Sequence, residues 1–123
     1  MPKKILIVDD EPDFLLLTES RLRSWGYDVA TASNHQEAFD RVREGLPDLI
    51  LLDVMMPGKD GYEVCHELKS QERMRAVPII LFTAQPVQKE RVKKNYEFIA
   101  ADDCIMKPFE PEELLRKIRQ HIG

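Results

Sequence analysis

The stretch Leu49-Ile50-Leu51-Leu52-Asp53 decides the fold of this chain, because four apolar residues lead directly into a carboxylate. A short apolar run without polar alternation is typical of a strand that is buried on both faces, as strands of parallel sheets are. Three further apolar runs also lead into polar residues. They are Ile5–Val8 before Asp9-Asp10, Ile79–Phe82 before Thr83, and Ile105-Met106 before Lys107. The chain therefore predicts a parallel sheet.

Parallel strands point the same way, so the residues that follow them collect at one edge, where open α/β sheets bind ligands. We expect three carboxylates, one hydroxyl and one ammonium to meet there, from Asp9, Asp10, Asp53, Thr83 and Lys107. This combination suggests phosphoryl and Mg²⁺ chemistry rather than an accident of packing.

Helical patterns alternate with the strand patterns along the whole chain, and Asp28–Ala32 supplies the remaining strand. The count is five βα units, and right-handed crossovers would place helices on both faces of a five-stranded sheet. The predicted helices bury apolar stripes: Phe14, Leu15, Leu22 and Trp25 before a stop at Gly26; Ala38, Phe39 and Val42 after a capping box of Ser33 and Gln36; Cys65 and Leu68 within about 62–70; Val92, Tyr96 and Ile99; and Leu114, Leu115, Ile118 and Ile122 after Glu110-Pro111.

Length and composition favour an ordinary globular protein. The 123 residues, 43% hydrophobic and 33% charged, suit a single domain over residues 1–123. A net charge of −4 argues against direct nucleic-acid binding, and no apolar stretch is long enough to span a membrane. Cys65 and Cys104 are too few for a disulfide framework or a zinc site. We expect a cytoplasmic protein with two buried thiols and three surface histidines, and without a membrane partner.

Asp53 ends the most apolar run, so its carboxylate should stand at the sheet edge, where it can attack phosphorus and form an acyl phosphate. Neighbouring carboxylates repel one another and the incoming phosphoryl group, so a divalent cation is required. Mg²⁺ fits because it prefers oxygen ligands. We expect Asp10 and Asp53 to bind it directly and Asp9 to hold a metal-bound water. Lys107 can neutralise one phosphoryl oxygen, and Thr83 can donate a hydrogen bond to another.

Each of these residues also has a purely structural interpretation. Asp9-Asp10-Glu11 would be favourable at the amino end of the first helix without any ligand. Thr83 could be a β-branched strand end, and Lys107 a solvated surface lysine. Asp102-Asp103 provides an internal comparison, because this equally acidic pair precedes its strand and is expected to form a solvated turn at the opposite edge.

The residues as a set resemble the receiver domain of bacterial two-component response regulators, of the chemotaxis regulator type. The matching segments occur in the family's order and spacing: Ile5–Pro12, Leu51–Gly58 with Asp60-Gly61, Thr83-Ala84, Ala101–Asp103 and Lys107–Phe109. They span virtually the whole chain, and together they are highly specific. The resemblance implies a flavodoxin-like fold with strand order 2-1-3-4-5.

The resemblance also implies roles for individual residues. Asp53 would be the phosphoacceptor, and Asp9 and Asp10 the acidic Mg²⁺ pair. The donor would be a phosphohistidine on a sensor histidine kinase or phosphotransfer protein, or a small acyl phosphate. The other implied roles are a metal-binding backbone carbonyl at Met55, the switch hydroxyl at Thr83, a small residue beside the phosphoryl group at Ala84, the phosphate-binding lysine at Lys107, and a cis peptide before Pro108.

One departure from the family pattern concerns the path by which the signal would leave the site. The family usually has Tyr or Phe three residues before the lysine, and this chain has Cys104. Candidate substitutes are Tyr96, Phe98 and Phe82. We expect activation to remodel the face formed by the predicted helix around Val92 to Ile99, the last strand and the last helix. That face would contact a downstream protein target or an output domain, and any dimer is expected to form through it.

Two other functions compete with a phosphorylated signalling switch. A haloacid-dehalogenase-like phosphohydrolase usually has a second Asp two positions after its nucleophile, where this chain has Met55, and its nucleophile follows the first strand rather than the third. A degenerate receiver that only binds proteins would be expected to lack Asp53, Lys107 or the acidic pair, and all are present. We therefore expect a phosphoacceptor domain rather than a stand-alone enzyme, with slow self-dephosphorylation.

Overall fold

The computed structural model describes residues 2–54, 61–83, 102–107 and 109–123. Its strands are β1 (Lys4–Val8), β2 (Asp28–Ala32), β3 (Leu49–Asp53), β4 (Ile79–Thr83) and β5 (Asp103–Met106). Its helices are α1 (Pro12–Ser24), α2 (His35–Glu44), α3 (Gly61–Lys69), a short 3₁₀ turn (Glu72–Met74) and the C-terminal helix (Pro111–Ile122). The predicted helix around Val92 to Ile99 lies outside the described residues.

The strands form one parallel sheet in the order β2-β1-β3-β4-β5, which confirms the predicted fold. Its two faces carry separate apolar layers. One layer joins Leu6 and Leu52 of the sheet to Val64 of α3, and the other joins Ile7 and Leu51 to Ile118 of the C-terminal helix. All five residues of β3 are buried. The absence of polar alternation therefore has a direct physical cause, since side chains on both faces of the strand enter a core.

The register of the strands determines which residues meet at the carboxyl end of the sheet. Val8 of β1 pairs with Leu52 of β3, so the next residues, Asp9 and Asp53, are level with each other. Thr83 pairs with Met106, which places Lys107 one residue beyond the end of β4. The apolar runs thus determine both the sheet and the relative heights of the polar residues that follow them.

The ends of the helices correct two predicted details. Asn34, not Ser33, is the N-cap of α2, and its side chain accepts the N–H of Glu37 at 2.8 Å. The Glu37 carboxylate reaches back to the N–H of Ser33 at 2.7 Å, so the capping pair is one residue later than predicted. The stop after α1 is confirmed, because Gly26 has φ +97°, a conformation that glycine adopts without steric cost.

Several burial predictions are only partly right. Cys65 is buried, whereas Cys104 is half-buried, so the expectation of two buried thiols is wrong for the second. Leu115 is also half-buried. His121 is not a free surface histidine, because its Nε2 lies 3.2 Å from an Asp103 carboxylate oxygen. Among the described residues, no helix is both long and apolar enough to cross a membrane.

Candidate metal and phosphoryl site

Three carboxylates converge at the carboxyl end of the sheet, where β1 and β3 end side by side. Asp9, Asp10 and Asp53 can each offer an oxygen such that all three oxygens lie within 4.8 Å of one another. Asp9 is fully buried and Asp53 is 5% exposed, while Asp10 faces solvent. Hard carboxylate oxygens at this spacing, with one side open to water, fit a cation such as Mg²⁺, which keeps water ligands beside one or two carboxylates.

The buried carboxylate of Asp9 is held by hydrogen bonds on both of its oxygens. The N–H of Glu11 donates to Oδ1 at 2.9 Å, and the ammonium of Lys107 donates to Oδ2 at 2.7 Å. The first bond ties Asp9 to Glu11, the residue just before α1, where no side-chain capping bond is formed. A buried charge requires such partners. The second bond connects Asp9 to a cation 98 positions away in the sequence.

Lys107 is not a solvated surface lysine. Its side chain is 20% exposed, and its Nζ lies 2.7 Å from Asp9 Oδ2 and 3.7 Å from Asp53 Oδ2. The ammonium therefore lies between the two buried carboxylates at the edge of the sheet. A lysine in this place provides a point charge that can shift from a carboxylate to a phosphoryl oxygen within a short distance.

Gly61 sets the backbone beside the candidate phosphoacceptor, whereas the sequence analysis named it only within a segment that carries the family resemblance. Its N–H donates to the carbonyl of Val54 at 3.3 Å. A Cβ at this position would lie 2.4 Å from Val54 Cα and 2.9 Å from the carbonyl oxygen of Asp53, closer than real side chains approach. Only glycine allows α3 to begin this close to the end of β3.

Three phenylalanines lie beneath Lys107, and the sequence analysis did not link them to the site. Phe14, Phe82 and Phe109 form a ring cluster, and the Lys107 Nζ lies 4.0 Å from the centroid of Phe14. The available signals were the helical position of Phe14 and the motif Lys107–Phe109. Neither signal revealed that an α1 ring would lie beside a cation from the end of β5.

Phe82 does not take the place of the aromatic residue that Cys104 replaces. Phe82 is fully buried in the layer under α1 and the C-terminal helix, whereas Cys104 packs against the layer under α2 and α3. The two side chains thus lie on opposite faces of the sheet. The other two candidates, Tyr96 and Phe98, lie outside the described residues.

Some predicted site positions cannot be compared with the structure. Met55, Ala84 and Pro108 lie outside the described residues. For Thr83 the backbone is described, and it pairs with Met106 at the end of β4. Its predicted role as a hydroxyl donor stays a prediction, as do the metal-binding carbonyl, the small residue and the cis peptide at the other positions.

The acidic pair Asp102-Asp103 lies at the amino end of the sheet, as expected, but it is not simply a solvated turn. Asp102 Oδ2 accepts the N–H of Ile79 at 2.9 Å and lies 3.0 Å from Lys69 Nζ. Asp103 is bonded to Lys117 at 3.0 Å and to His121 at 3.2 Å. Burial raises the pKa of the Asp103 carboxyl, but these two bonds and the N–H of Cys104 outweigh it, so the pKa is lowered overall.

Comparison with known proteins identifies the family. The family model of the response regulator receiver domain, which describes the sequence pattern of that family, matches residues 5–119 of this chain. The chain belongs to this family. It is therefore a signalling domain of the two-component type.

Similar proteins include the alkaline phosphatase synthesis transcriptional regulatory protein PhoP of Bacillus subtilis, 43% identical over 119 residues that cover 97% of this chain and 48% of that protein. The chain spans about half the length of the curated relatives it matches. Among solved structures, the Vibrio cholerae chemotaxis protein CheY4 matches with a TM-score of 0.88 and 29% identity, over 98% of this chain and 99% of that one.

A second solved structure bears on the metal. The receiver domain of the sensor histidine kinase PA1611 from Pseudomonas aeruginosa has a TM-score of 0.86 and 34% identity, covers 100% of this chain and 99% of that one, and is described with a magnesium ion coordinated in its active-site cleft.

Proposed function

We propose that this chain is a phosphorylation-driven signalling switch in which Asp53 accepts a phosphoryl group in a Mg²⁺-dependent reaction. The observation that carries the proposal is the arrangement of three carboxylates within 4.8 Å, with the Lys107 ammonium between Asp9 and Asp53. The nucleophile lies at the end of a buried strand, so its position is fixed before any donor arrives. A pre-positioned nucleophile and cation avoid much of the entropic cost of assembling a reactive geometry.

The proposed reaction transfers the group without redox change. A carboxylate oxygen of Asp53 forms a bond to phosphorus, while the bond from phosphorus to the donor's imidazole nitrogen or acyl oxygen breaks and its electron pair stays with the donor. Lys107 moves from the carboxylates toward a phosphoryl oxygen and neutralises it. Thr83 donates a hydrogen bond to another phosphoryl oxygen. Mg²⁺, held by Asp10, Asp53 and the carbonyl of Met55 with Asp9 on a metal-bound water, would screen the negative charge.

The donor is proposed to be a sensor histidine kinase or its phosphotransfer protein, with a small acyl phosphate as a substitute. The response is a change in the face that includes β5 and the C-terminal helix, read by a protein target or an output domain. Any dimer would form through that face. The PhoP name assigns a transcriptional role to a protein about twice as long, and a role in transcription is not carried over to this domain, whose net charge is −4.

The test is intact-mass measurement after incubation with an acyl phosphate, with Mg²⁺ or with EDTA, followed by peptide mapping. We expect one phosphoryl group on Asp53 with Mg²⁺ and none with EDTA or in Asp53→Asn. The matched control is Asp48→Asn, at the opposite end of the same strand, where the carboxylate accepts the N–H of Lys4 at 2.7 Å. The control should label like the wild type. Labelling of another residue, or equal labelling in EDTA, would contradict the proposal.

The same experiment separates the alternatives. A degenerate receiver would bind partners but show no labelling of Asp53 under any condition. A dehalogenase-like hydrolase would release phosphate catalytically from small phosphate esters, whereas a switch keeps its acyl phosphate long enough to signal.

We expect slow decay of the phosphorylated form, because Met55 can neither donate nor accept a strong hydrogen bond to the attacking water, while Gln85 could assist through its amide. Met55→Asn should therefore shorten the lifetime of the phosphorylated form.

A further inference from the structure

The ammonium of Lys107 contacts an aromatic face as well as carboxylates. Its Nζ lies 4.0 Å from the centroid of the Phe14 ring and 5.5 Å from that of Phe82. The distance to Phe14 is well inside the range at which the electron-rich face of a ring attracts a cation. Since the Lys107 side chain is only 20% exposed, water weakens this attraction less than it would on an open surface.

The Phe14 ring is itself held in place by two other rings. Its centroid lies 5.4 Å from that of Phe82 in an edge-to-face arrangement with an interplanar angle of 83°. Phe109 meets it at 6.3 Å and 87°. Phe82 and Phe109 are stacked at 5.4 Å, and Phe82 is fully buried in β4. Edge-to-face contacts at these distances are favourable, so the orientation of Phe14 is set mainly by its nearer neighbour, the buried Phe82 of β4, with Phe109 as the more distant contact.

We propose that Phe14 is a positioning residue that acts through Lys107. Its ring face holds the ammonium close to Asp53 independently of the bond between Lys107 and Asp9. For its effect on phosphoryl transfer, this proposal rests on the proposed function. An aliphatic side chain at position 14 would fill the same space without attracting the cation.

The contact between Phe14 and Lys107 matters because a cation bound to the cluster and the Lys107 ammonium would compete for the carboxylate of Asp9. Asp9 is a member of the carboxylate cluster and, among the described residues, is also the nearest ion-pair partner of Lys107, at 2.7 Å. A cation bound to the cluster draws on the negative charge of Asp9 and weakens its hold on the ammonium. A lysine side chain has many rotamers, so a Lys107 side chain without a contact to fix its ammonium would leave its position beside Asp53. The Phe14 ring carries no net charge and binds no metal, so its contact with Lys107 persists when Asp9 is engaged elsewhere.

The first test is spectroscopic and does not depend on phosphorylation. In the wild type, the ring current of Phe14 should shift the methylene protons beside Lys107 Nζ upfield, both with and without Mg²⁺. Phe14→Tyr should keep that shift, and Phe14→Leu should lose it. Phe109→Leu is the matched control, because it removes a ring from the same cluster, and it should keep most of the shift. Loss of the upfield shift on adding Mg²⁺ to the wild type would overturn the proposal.

The second test is a double-mutant cycle on the rate of labelling by an acyl phosphate with Mg²⁺. Phe14→Leu should slow labelling by about two- to tenfold, the range expected for a partly desolvated cation–ring contact, and Phe14→Tyr should restore the rate. In a Lys107→Met background, Phe14→Leu should have no further effect. Equal slowing in both backgrounds would show that Phe14 acts only through packing, and would overturn the proposal.

The two tests distinguish a failure of the positioning role of Phe14 from a failure of the proposed function. If the wild type is never labelled on Asp53, the proposed function fails, while the proton shifts still decide whether Phe14 holds Lys107. If labelling occurs and the shifts persist with Mg²⁺, but the cycle is additive, the positioning role fails and the proposed function stands. If Lys107→Met abolishes labelling, the double-mutant cycle has no rate to compare, and the proton shifts with and without Mg²⁺ decide whether Phe14 holds Lys107.

Discussion

Both ends of the sheet carry acidic residues, but the two ends differ in how many of the carboxylates have a partner of their own. At the carboxyl end, the carboxylates of Asp9, Asp10 and Asp53 cluster together, and among the described residues one ammonium, that of Lys107, lies close to two of them. At the amino end, three carboxylates each have a partner of their own: Asp102 pairs with Lys69, Asp103 with Lys117 and His121, and Asp48 with the N–H of Lys4.

The difference shows that carboxylates serve two purposes in this domain: some join structural elements, and others are left to attract a cation. Matched pairs at the amino end join neighbouring elements and leave little charge for a ligand. The carboxyl end keeps more negative charge than its described cation balances, so a further cation is attracted there. Acidic residues alone therefore do not indicate a metal site. The number of internal cations that face them decides whether a bound ion is favoured.

The largest expected effect is on metal affinity. Asp10→Asn should weaken Mg²⁺ binding by about a hundredfold, because Asp10 faces solvent and removing one unit charge about 4 Å from a divalent cation costs on the order of 3 kcal/mol at a dielectric constant between those of a protein surface and of water. Asp102→Asn is the matched control at the amino end and should leave the affinity unchanged. Calorimetric titration measures both. Equal losses in the two variants would remove the distinction between the two ends.

Two partly buried lysines, Lys69 and Lys107, should respond differently to Mg²⁺. Lys69 is 9% exposed and Lys107 20%, so replacing either by Met leaves a carboxylate without its cation. Each variant should lose about 2–3 kcal/mol of unfolding free energy without metal. Saturating Mg²⁺ should restore much of the stability of Lys107→Met, because the ion takes over the missing charge. It should restore none for Lys69→Met. Denaturant unfolding with and without Mg²⁺ makes the comparison, and rescue of both variants would contradict it.

A smaller effect is expected where α3 begins, beside Asp53. Gly61→Ala should lower the unfolding free energy by about 2 kcal/mol, since the new Cβ forces the backbone of Val54 and Asp53 to shift. It should also reduce Mg²⁺ affinity, because one of the carboxylates moves. In Gly45→Ala, the control at the end of α2, the added Cβ meets only Lys4 Nζ at 3.7 Å. Gly45→Ala should be neutral, and an equally tolerated Gly61→Ala would disprove the close approach.

The smallest effect is a pH dependence at the amino end. The pKa of Asp103 is lowered below the ordinary value of 3.8, so its ionised form stabilises the folded state above that pH and the contribution is lost as pH falls through the lower, folded-state pKa. Asp103→Asn should cost about 1 kcal/mol at neutral pH, and the difference from the wild type should shrink below pH 3.8. Unfolding measured across this range tests it. Glu19→Gln, which removes an exposed pair with Arg23, should change stability by no more than about 0.5 kcal/mol.

Much of the fold could be predicted because short-range patterns set it. The apolar runs gave β1 and β3 to within a residue, and β2 was predicted with its observed bounds, Asp28–Ala32. The N-cap of α2 was misplaced by one residue, because Ser33 and Asn34 are both good capping residues and only the three-dimensional path of the chain selects between them. The 3₁₀ turn at Glu72–Met74 was missed, since three residues carry no periodicity.

The sequence by itself determined that Asp9, Asp10 and Asp53 meet, because the direction of parallel strands brings together whatever follows each apolar run. The tertiary structure alone decided the partners of these residues. The 2.7 Å bond between Lys107 and Asp9, the Phe14 ring beneath the same ammonium, and the pairing of Asp102 with Lys69 all join side chains that are far apart in the sequence. Such contacts depend on how separate elements pack and on the rotamers they permit, and no local pattern records either.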